Sequence, residues 1–245
     1  MNKRITFLGL ALSAGFACNA FAAPYQTIEV SNGGKLSGKV NFSGTDPAPA
    51  VYAITKDQET CGNGDRKIDF VKVNNGALGD VVVYLDKVKE GKAFANAEAG
   101  KGKLNQKGCA FDPFLQVMYD GEQIDILNSD PVSHNIHTYE LIGKTKKTVL
   151  NISQPEQNSV IKKDIKLKRG TAMKLECDQH DFMHGFVFVA KNPYFAVVDT
   201  NGQFSIDNIP PGKYTVKSWH GTLGEQKAKV TIEGGKSASV NLTYK

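Results

Sequence analysis

Short apolar runs separated by turn signals are the feature that most limits what this chain of 245 residues can fold into. Val81–Leu85 and Phe186–Ala190 are two such runs, and Asn201–Gly202 is one of the turn signals that separate runs of this kind along the chain. No segment keeps the apolar spacing of an amphipathic helix. Many short strands at this spacing are typical of sandwiches, so the sequence predicts an all-β protein.

The first 22 residues have the composition of a secretory signal peptide. Basic residues at positions 3 and 4 precede an apolar run that ends at Ala14, and Ala20–Ala22 is a small-x-small cleavage signal. We therefore expect cleavage after Ala22 and export to the periplasm. Lipid anchoring through Cys18 is the alternative, but the preceding residues match a lipid-attachment signal poorly. No later stretch approaches the ~20 apolar residues of a membrane span, so none is expected.

The charge balance is mildly basic. The formal net charge is +5, and it falls to +3 once Lys3 and Arg4 leave with the signal peptide. This value argues against a dedicated nucleic-acid binder, and no nucleic-acid partner is predicted. The basic run Lys162–Arg169 is typical of a solvated strand face, although it could steer an acidic partner.

Cysteine chemistry is constrained by an odd count. Once Cys18 is removed, Cys61, Cys109 and Cys177 remain. In an oxidising compartment the simplest allocation is a disulfide between Cys61 and Cys109, with Cys177 left as a thiolate held by a metal. A buried, inert Cys177 or a different pairing is the alternative.

The C-terminal part carries a recognisable pattern. Val198–Ile206 has an Asp, a Gly-containing turn and an aromatic strand, and Ile209–Tyr214 follows with a Pro-Gly-x-Tyr corner. This pattern resembles the carboxypeptidase regulatory-like (transthyretin-like) β-sandwich. In that family the preceding strands have the form of Gly38–Val40 and Val81–Leu85, which here lie far upstream.

This distance along the chain predicts a split domain. We expect one regulatory-like sandwich to be formed by residues 23–103 together with residues 192–245. Residues 104–191 would then be a second domain inserted between its halves. Ala93–Lys107, rich in Ala, Gly and Lys, is interpreted as a connecting segment with a short helical turn.

The inserted stretch contains four of the five histidines, in two windows. His134–His137 follows the predicted strand Gln123–Leu127, and Cys177–His184 follows the predicted strand Thr171–Glu176. If those strands run parallel, their ends lie at the same end of a sandwich. We therefore expect the two windows to face each other.

The donors in these windows suit a single copper ion. Cys177, His180 and Met183 offer a thiolate, an imidazole and a thioether at Cys-x2-His-x2-Met spacing, and His134 adds a second imidazole. Sulfur favours Cu(I), and imidazole serves both Cu(I) and Cu(II). Zinc would more often recruit a second cysteine or a carboxylate. The predicted metal ligands are therefore His134, Cys177, His180 and Met183.

These windows resemble those of the blue-copper cupredoxins, of the amicyanin and plastocyanin type. The resemblance implies His134 and His180 as imidazole ligands, Cys177 as the short thiolate bond and Met183 as the long axial contact. It also implies that Asn135 ties the two loops together and supports the thiolate through a backbone N–H. The implied architecture is a cupredoxin-type Greek-key β-sandwich, inserted in or packed beside the regulatory-like sandwich.

The same resemblance implies a function. Cupredoxins carry single electrons between periplasmic redox proteins and do no bond chemistry, so we expect an electron carrier and not an enzyme. Its partner would be a cytochrome or an oxidoreductase, reached through an exposed His180 in an apolar patch around Phe182. A copper-handling protein (chaperone, buffer or sensor) and a non-redox binding module remain alternatives. No set of residues typical of a hydrolase is convincing.

Three further histidines motivate the copper-handling alternative. His137 is interpreted as a surface or hydrogen-bonding residue. His184 is either exposed or a competitor of His180 for the metal. His220, beside the single tryptophan of the chain, is either packed in the other domain or closes over the copper end as a gate or second metal site.

Overall fold

The computed structural model describes residues 25–245, so the predicted signal peptide and its cleavage site lie outside the described residues. Almost all regular structure is β, which confirms the predicted all-β class. No helix in this part of the chain is long and apolar enough to cross a membrane.

The strands are short and follow one another closely along the chain. They are β1 (Gln26–Thr27), β2 (Gly34–Phe42), β3 (Ala50–Ala53), β4 (Asp65–Ile68), β5 (Val73–Asn74), β6 (Ala77–Leu78), β7 (Val81–Leu85), β8 (Glu90–Gly91), β9 (Gly102–Gln106), β10 (Phe111–Asp112), β11 (Leu115–Tyr119), β12 (Gln123–Asn128), β13 (His134–Ile142), β14 (Thr145–Gln154), β15 (Val160–Asp164), β16 (Ala172–Glu176), β17 (His184–Ala190), β18 (Phe195–Val197), β19 (Gln203–Ile209), β20 (Gly212–His220), β21 (Gly224–Ile232), β22 (Ser237–Ser239) and β23 (Leu242–Tyr244). Two helices of one turn each also occur between residues 25 and 245, α1 (Gln58–Cys61) and α2 (Ala97–Gly100).

One sandwich, here called the flanking sandwich, takes its strands from both ends of the described chain. One of its sheets has the order β18-β7-β20-β21, and the other has the order β19-β2-β6-β5, with β22 and β23 pairing with β2. Apolar side chains from both sheets, among them Leu36, Val83 and Val216, form its core. Gly38 is required in β2, since a Cβ there would lie 1.7 Å from the carbonyl oxygen of Val240.

The strands β9 to β17 form the central sandwich. Its two sheets have the orders β10-β9-β12-β15 and β11-β17-β16-β13-β14. β12 shows why the sequence folds this way, because Ile124 and Ile126 are buried while the alternate residues Gln123, Asp125 and Leu127 are half-buried. The two isoleucines pack with Ile136, Leu175 and Val187 from the facing sheet in one apolar core.

A third apolar cluster joins the two sandwiches. Val82 and Tyr84 of β7 and Trp219 of β20 pack against Phe186 and Phe188 of β17. The ring centroids of Tyr84 and Phe188 lie 5.0 Å apart, and those of Phe186 and Trp219 lie 5.7 Å apart. Because aromatic side chains bury large areas, the packing in this cluster holds the two sandwiches together in addition to the covalent connections between them.

Residues 50–68 leave the flanking sandwich and cover one end of the central one. We call this stretch the cover segment; it contains the β3–β4 hairpin and α1. Its Ile54 and Cys61 belong to the core of the central sandwich. Cys61 is bonded to Cys109, the pairing expected from the sequence, and their Cα atoms lie 5.1 Å apart. The disulfide therefore ties the cover segment to the central sandwich.

Candidate metal centre

Three predicted ligands converge at the end of the central sandwich beneath the cover segment. His134 is the first residue of β13, while Cys177 and His180 lie in the loop between β16 and β17. The Nδ1 atoms of His134 and His180 lie 3.1 Å apart, and Sγ of Cys177 lies 3.7 Å from Nδ1 of His180. All three side chains are buried, and their donor atoms lie within 4.8 Å of one another.

The loop after β16 is folded tightly enough to present its donors together. The backbone N–H of His180 donates to the carbonyl oxygen of Cys177, and that of Met183 donates to the carbonyl oxygen of His180. Met183 is fully buried in the same apolar cluster as Cys177. The predicted ligands of this loop are therefore turned into the sandwich and away from solvent.

Asn135 joins the two windows. Its backbone N–H donates to Sγ of Cys177 at 3.3 Å, and its side-chain amide donates to Asn151 at 2.8 Å. Burial raises the pKa of the Cys177 thiol, against the lowering effect of backbone N–H groups from Asn135, Gln179 and His180. A cation at the sulfur would stabilise the thiolate that burial alone disfavours.

A carboxylate contacts the Nε2 atom of each of these two histidines. Nε2 of His134 lies 2.9 Å from Oδ2 of Asp130, and Nε2 of His180 lies 2.8 Å from Oδ2 of Asp57. Asp130 is itself fixed, because its two carboxylate oxygens accept N–H groups from Gly108 and Cys109. Such partners place the ring proton on Nε2 and leave the lone pair on Nδ1.

The positions of the two Nδ1 atoms and the sulfur indicate whether these residues fit a metal ion. With both protons on Nε2, the lone pairs of His134 and His180 face each other across 3.1 Å. Burial lowers the pKa of His134, although the hydrogen bond that it donates to Asp130 opposes this effect, so a second ring proton is disfavoured. A cation would satisfy both nitrogens and the Cys177 sulfur at once. The donor set fits a soft or borderline metal ion.

The exposed ligand that the sequence predicted is not found. His180 is only 1% exposed and Phe182 only 2%. The cover segment closes over them: Asp57 contacts the His180 ring, Lys56 donates to Gln179, and the Arg66 guanidinium lies over the Phe182 ring at 5.2 Å. Neither residue forms an accessible apolar patch, because residues from a distant part of the chain cover both.

The other predicted residues lie outside the converging group. His137 points away along β13, where its Nδ1 lies 3.0 Å from Asp178 and its Nε2 lies 3.2 Å from Thr148. His184 begins β17 and packs between the rings of Tyr52 and Phe70, with centroids 5.1 and 5.3 Å away.

His220 lies in β20 of the flanking sandwich. Its Nδ1 accepts the backbone N–H groups of Thr222 and Leu223, and its ring packs near that of Tyr244. Burial lowers the pKa of His220 to about 4. These contacts are those of a packed core residue, and they hold the ring in a turn of its own sandwich.

Two residues that contact the predicted imidazole ligands were not identified from the sequence. Asp130 stands four residues before His134, a signal that could have been noticed because i and i+4 residues often meet near a turn. Asp57 gave no such signal, because its contact with His180 depends on the path of the cover segment. Both carboxylates act on the imidazoles that the sequence did identify.

The C-terminal part of the chain is similar in sequence to parts of polysaccharide-degrading enzymes. Residues 181–240 match the family model described as polysaccharide lyase family 4, domain II. A 118-residue stretch is 29% identical to rhamnogalacturonate lyase B of Emericella nidulans. That alignment covers 46% of this chain and only 17% of the relative, so the chain spans a small part of that enzyme.

Solved structures with similar strand arrangements include copper proteins of low sequence identity. They are a purple cupredoxin from Nitrosopumilus maritimus (15% identity, 36% of this chain and 99% of that chain, TM-score 0.31), amicyanin from Paracoccus versutus (16%, 46% and 99%, 0.30) and a Cu-containing nitrite reductase from Thermus scotoductus (13%, 62% and 28%, 0.29). At these values the likeness concerns the β fold alone.

These matches correct the function predicted from the sequence. The family model describes a domain of polysaccharide lyases and the curated relative is a rhamnogalacturonate lyase, which contradicts the prediction of a periplasmic copper protein that carries single electrons. The prediction that the chain is not an enzyme is contradicted for the same reason. The buried His180 agrees with this correction, because an electron carrier of the expected kind needs an accessible ligand edge.

The matched family also changes the interpretation of the C-terminal pattern. Val198–Tyr214, which was predicted to resemble a carboxypeptidase regulatory-like sandwich, lies within the stretch that matches polysaccharide lyase family 4, domain II. The pattern is therefore matched by a lyase domain. The β-sandwich that it predicted is present as the flanking sandwich.

Proposed function

We propose that this chain is a copper-binding protein related to polysaccharide-degrading enzymes, with one copper ion held inside the central sandwich. The observation that carries the metal proposal is the 3.1 Å separation of the His134 and His180 Nδ1 atoms beside the Cys177 sulfur. Three buried donors in such proximity are costly unless a cation or a proton lies among them.

Each residue has a stated task in this proposal. His134, His180 and Cys177 hold the ion, and Met183 supplies a thioether from the same loop. Two imidazoles, a thiolate and a weak thioether suit copper better than metals that prefer oxygen ligands. Bound copper would supply a centre that can change oxidation state or act as a Lewis acid.

The protein's own contribution is orientation and exclusion of water. Asp57 and Asp130 keep the ring protons on Nε2, so that both Nδ1 atoms remain available. The backbone N–H of Asn135 supports negative charge on Cys177. The cover segment keeps solvent from the donors.

A metal titration tests the copper proposal. Purified protein, stripped of metal, should bind one equivalent of copper, measured by competition with a chromophoric chelator and by elemental analysis. Cys177→Ser and His180→Gln should each lose affinity by at least about 100-fold. His137→Gln is the matched control, since this histidine lies on β13 outside the donor group and its variant should bind copper as the parent does. Equal affinity in Cys177→Ser, or no copper binding by the parent, would reject the site.

We also propose that the chain acts on or at an acidic polysaccharide. The match of residues 181–240 to a polysaccharide lyase domain, and the relative named rhamnogalacturonate lyase B, support this role. Electrophoresis in gels that contain rhamnogalacturonan should retard the protein, whereas neutral dextran should not. Equal mobility in both gels would contradict the polysaccharide role and leave the copper site unaffected.

A further inference from the structure

An open cleft of about 260 Å³ lies beside the loop between β16 and β17, here called the metal-binding loop because it carries the proposed ligands Cys177, His180 and Met183. Arg66, Lys67 and Lys72 line it on the side of the cover segment and the residues that follow. Phe182 of the metal-binding loop and His184 of β17 contribute to its lining. The cleft is outside the donor group, and none of the residues proposed to bind copper lines it.

The lining is rich in positive charge. Its three cationic side chains face one acidic side chain, Asp69, whose Oδ1 accepts the backbone N–H of Val71. Lys72 pairs with Asp80 at 2.9 Å, whereas Lys67 is exposed and makes no salt bridge within residues 25–245. A surface with this balance attracts an anionic ligand.

Arg66 is held in place before any ligand arrives. Its guanidinium donates to the carbonyl oxygens of Cys61, Gly108 and Cys109 at 2.8, 3.0 and 2.6 Å. A fixed guanidinium loses little freedom when it contacts a carboxylate, and its planar group matches the two carboxylate oxygens.

Aromatic rings supply the apolar part of the cleft. Phe114 and Phe182 line it, with Lys72 and Arg66 lying over their faces at 5.0 and 5.2 Å. Phe182 is only 2% exposed, so the half-buried Phe114 is the ring that the cleft presents to a ligand.

We propose that this cleft binds a carboxylate-bearing sugar unit of an acidic polysaccharide, with Arg66 and Lys67 at the carboxylate and the half-buried Phe114 ring beside the sugar. The proposal rests on the polysaccharide role proposed above and names the place where that role is carried out. Because the Arg66 guanidinium lies over the Phe182 ring, a carboxylate held by Arg66 would lie next to the loop that carries His180.

A second groove on the flanking sandwich serves as the comparison. Lys87, Lys89 and Lys213 line it, but Asp86 and Glu90 line it too, so its charge is nearly balanced. It has one aromatic ring, that of Tyr214. The first cleft is therefore the better match to a ligand that is both anionic and partly apolar.

Binding of trigalacturonic acid, with maltotriose as the neutral probe, tests the assignment. Isothermal titration at low ionic strength should detect the acidic trimer and not the neutral one. Lys67→Glu should weaken binding by about fivefold to tenfold, because it reverses one partly exposed charge at the ligand. Lys89→Glu makes the same charge change at an exposed residue of the second groove and should leave binding within about twofold.

The outcomes separate this proposal from the one it rests on. If the parent protein binds the acidic trimer and both variants bind it equally well, the polysaccharide role stands and the cleft is wrong. If the parent binds neither trimer but is retarded by rhamnogalacturonan, the cleft assignment is wrong and the polysaccharide role stands; if it is not retarded either, both are wrong.

Discussion

The carboxylate of Asp57 lies 2.8 Å from Nε2 of His180, although 123 positions separate these residues in the sequence. Asp57 belongs to the cover segment, whose flanking strands lie in the other sandwich, and His180 belongs to the loop between β16 and β17. The proposed metal centre is thus completed by a part of the chain that is not in the central sandwich.

Asp57→Asn should weaken copper binding by about 10-fold to 100-fold. The amide keeps the shape of the carboxylate but removes the negative charge that favours Nδ1 of His180 as a metal ligand. The measurement is competition with a chelator of known affinity. Asp181→Asn is the matched control, because Asp181 is exposed in the same loop. Equal affinities in the two variants would show that the carboxylate contact has no part in metal binding.

Removal of the disulfide by Cys61→Ser with Cys109→Ser should lower the free energy of unfolding by about 2–4 kcal/mol. The bond closes a loop with a sequence separation of 48, and its loss gives the unfolded chain more freedom. Urea unfolding of the metal-free protein measures the change. A chelator should also remove copper faster from this variant, because the cover segment is held less firmly. Unchanged unfolding and unchanged release would contradict the role given to the bond.

Phe188→Ala should cost about 3–5 kcal/mol of stability, since Phe188 is only 1% exposed and packs against Tyr84 and Trp219 of the other sandwich. Chemical unfolding followed by Trp219 fluorescence measures this loss at the contact itself. Val197→Ala, at a residue 50% exposed, is the control and should change stability by less than about 0.5 kcal/mol. A loss of that small size in Phe188→Ala would mean that the two sandwiches are held together elsewhere.

Protein stability should fall as the pH is lowered from 6.5 towards 4, partly through His220. Burial lowers the pKa of His220 from 6.5 to about 4 in the folded protein. Between these values the unfolded chain binds a proton that the folded chain does not, so acid favours unfolding, by at most about 3 kcal/mol. His220→Gln keeps a side-chain acceptor near the N–H groups of Thr222 and Leu223, and it does not titrate.

The comparison of the two pH profiles isolates His220 from other acid-sensitive groups. Urea midpoints should be recorded for the parent and for His220→Gln at intervals between pH 7 and 4. The parent should lose more stability than the variant over this range. Parallel profiles would mean that His220 does not contribute to the acid sensitivity.

Strands with clear apolar patterns could be predicted from the sequence, and those with weak patterns could not. Val81–Leu85 was predicted with the bounds that β7 has, because five apolar residues between turns leave few alternatives. β9 was missed inside the segment taken as a connection. Only Leu104 is a large apolar residue there, and its parallel pairing with β12 supplies the rest.

The candidate site likewise has features that could be predicted from the sequence and features that could not. His134, Cys177 and His180 could be selected because donor types and spacing are visible locally. The burial of His180 and the contact with Asp57 could not, since both depend on the cover segment crossing from one sandwich to the other. A local pattern contains no information about such a crossing.

Because the cover segment precedes the strands of the central sandwich in the chain, the central sandwich cannot be excised with its site intact. A gene fragment cut at the bounds of β9 and β17 would encode residues 102–190 and keep His134, Cys177 and His180. It would lack both the carboxylate behind one imidazole and the sulfur that pairs with Cys109. Expressed alone, these strands would expose the metal donors to solvent and leave Cys109 as a free thiol. Any fragment meant to keep the site must therefore include the cover segment.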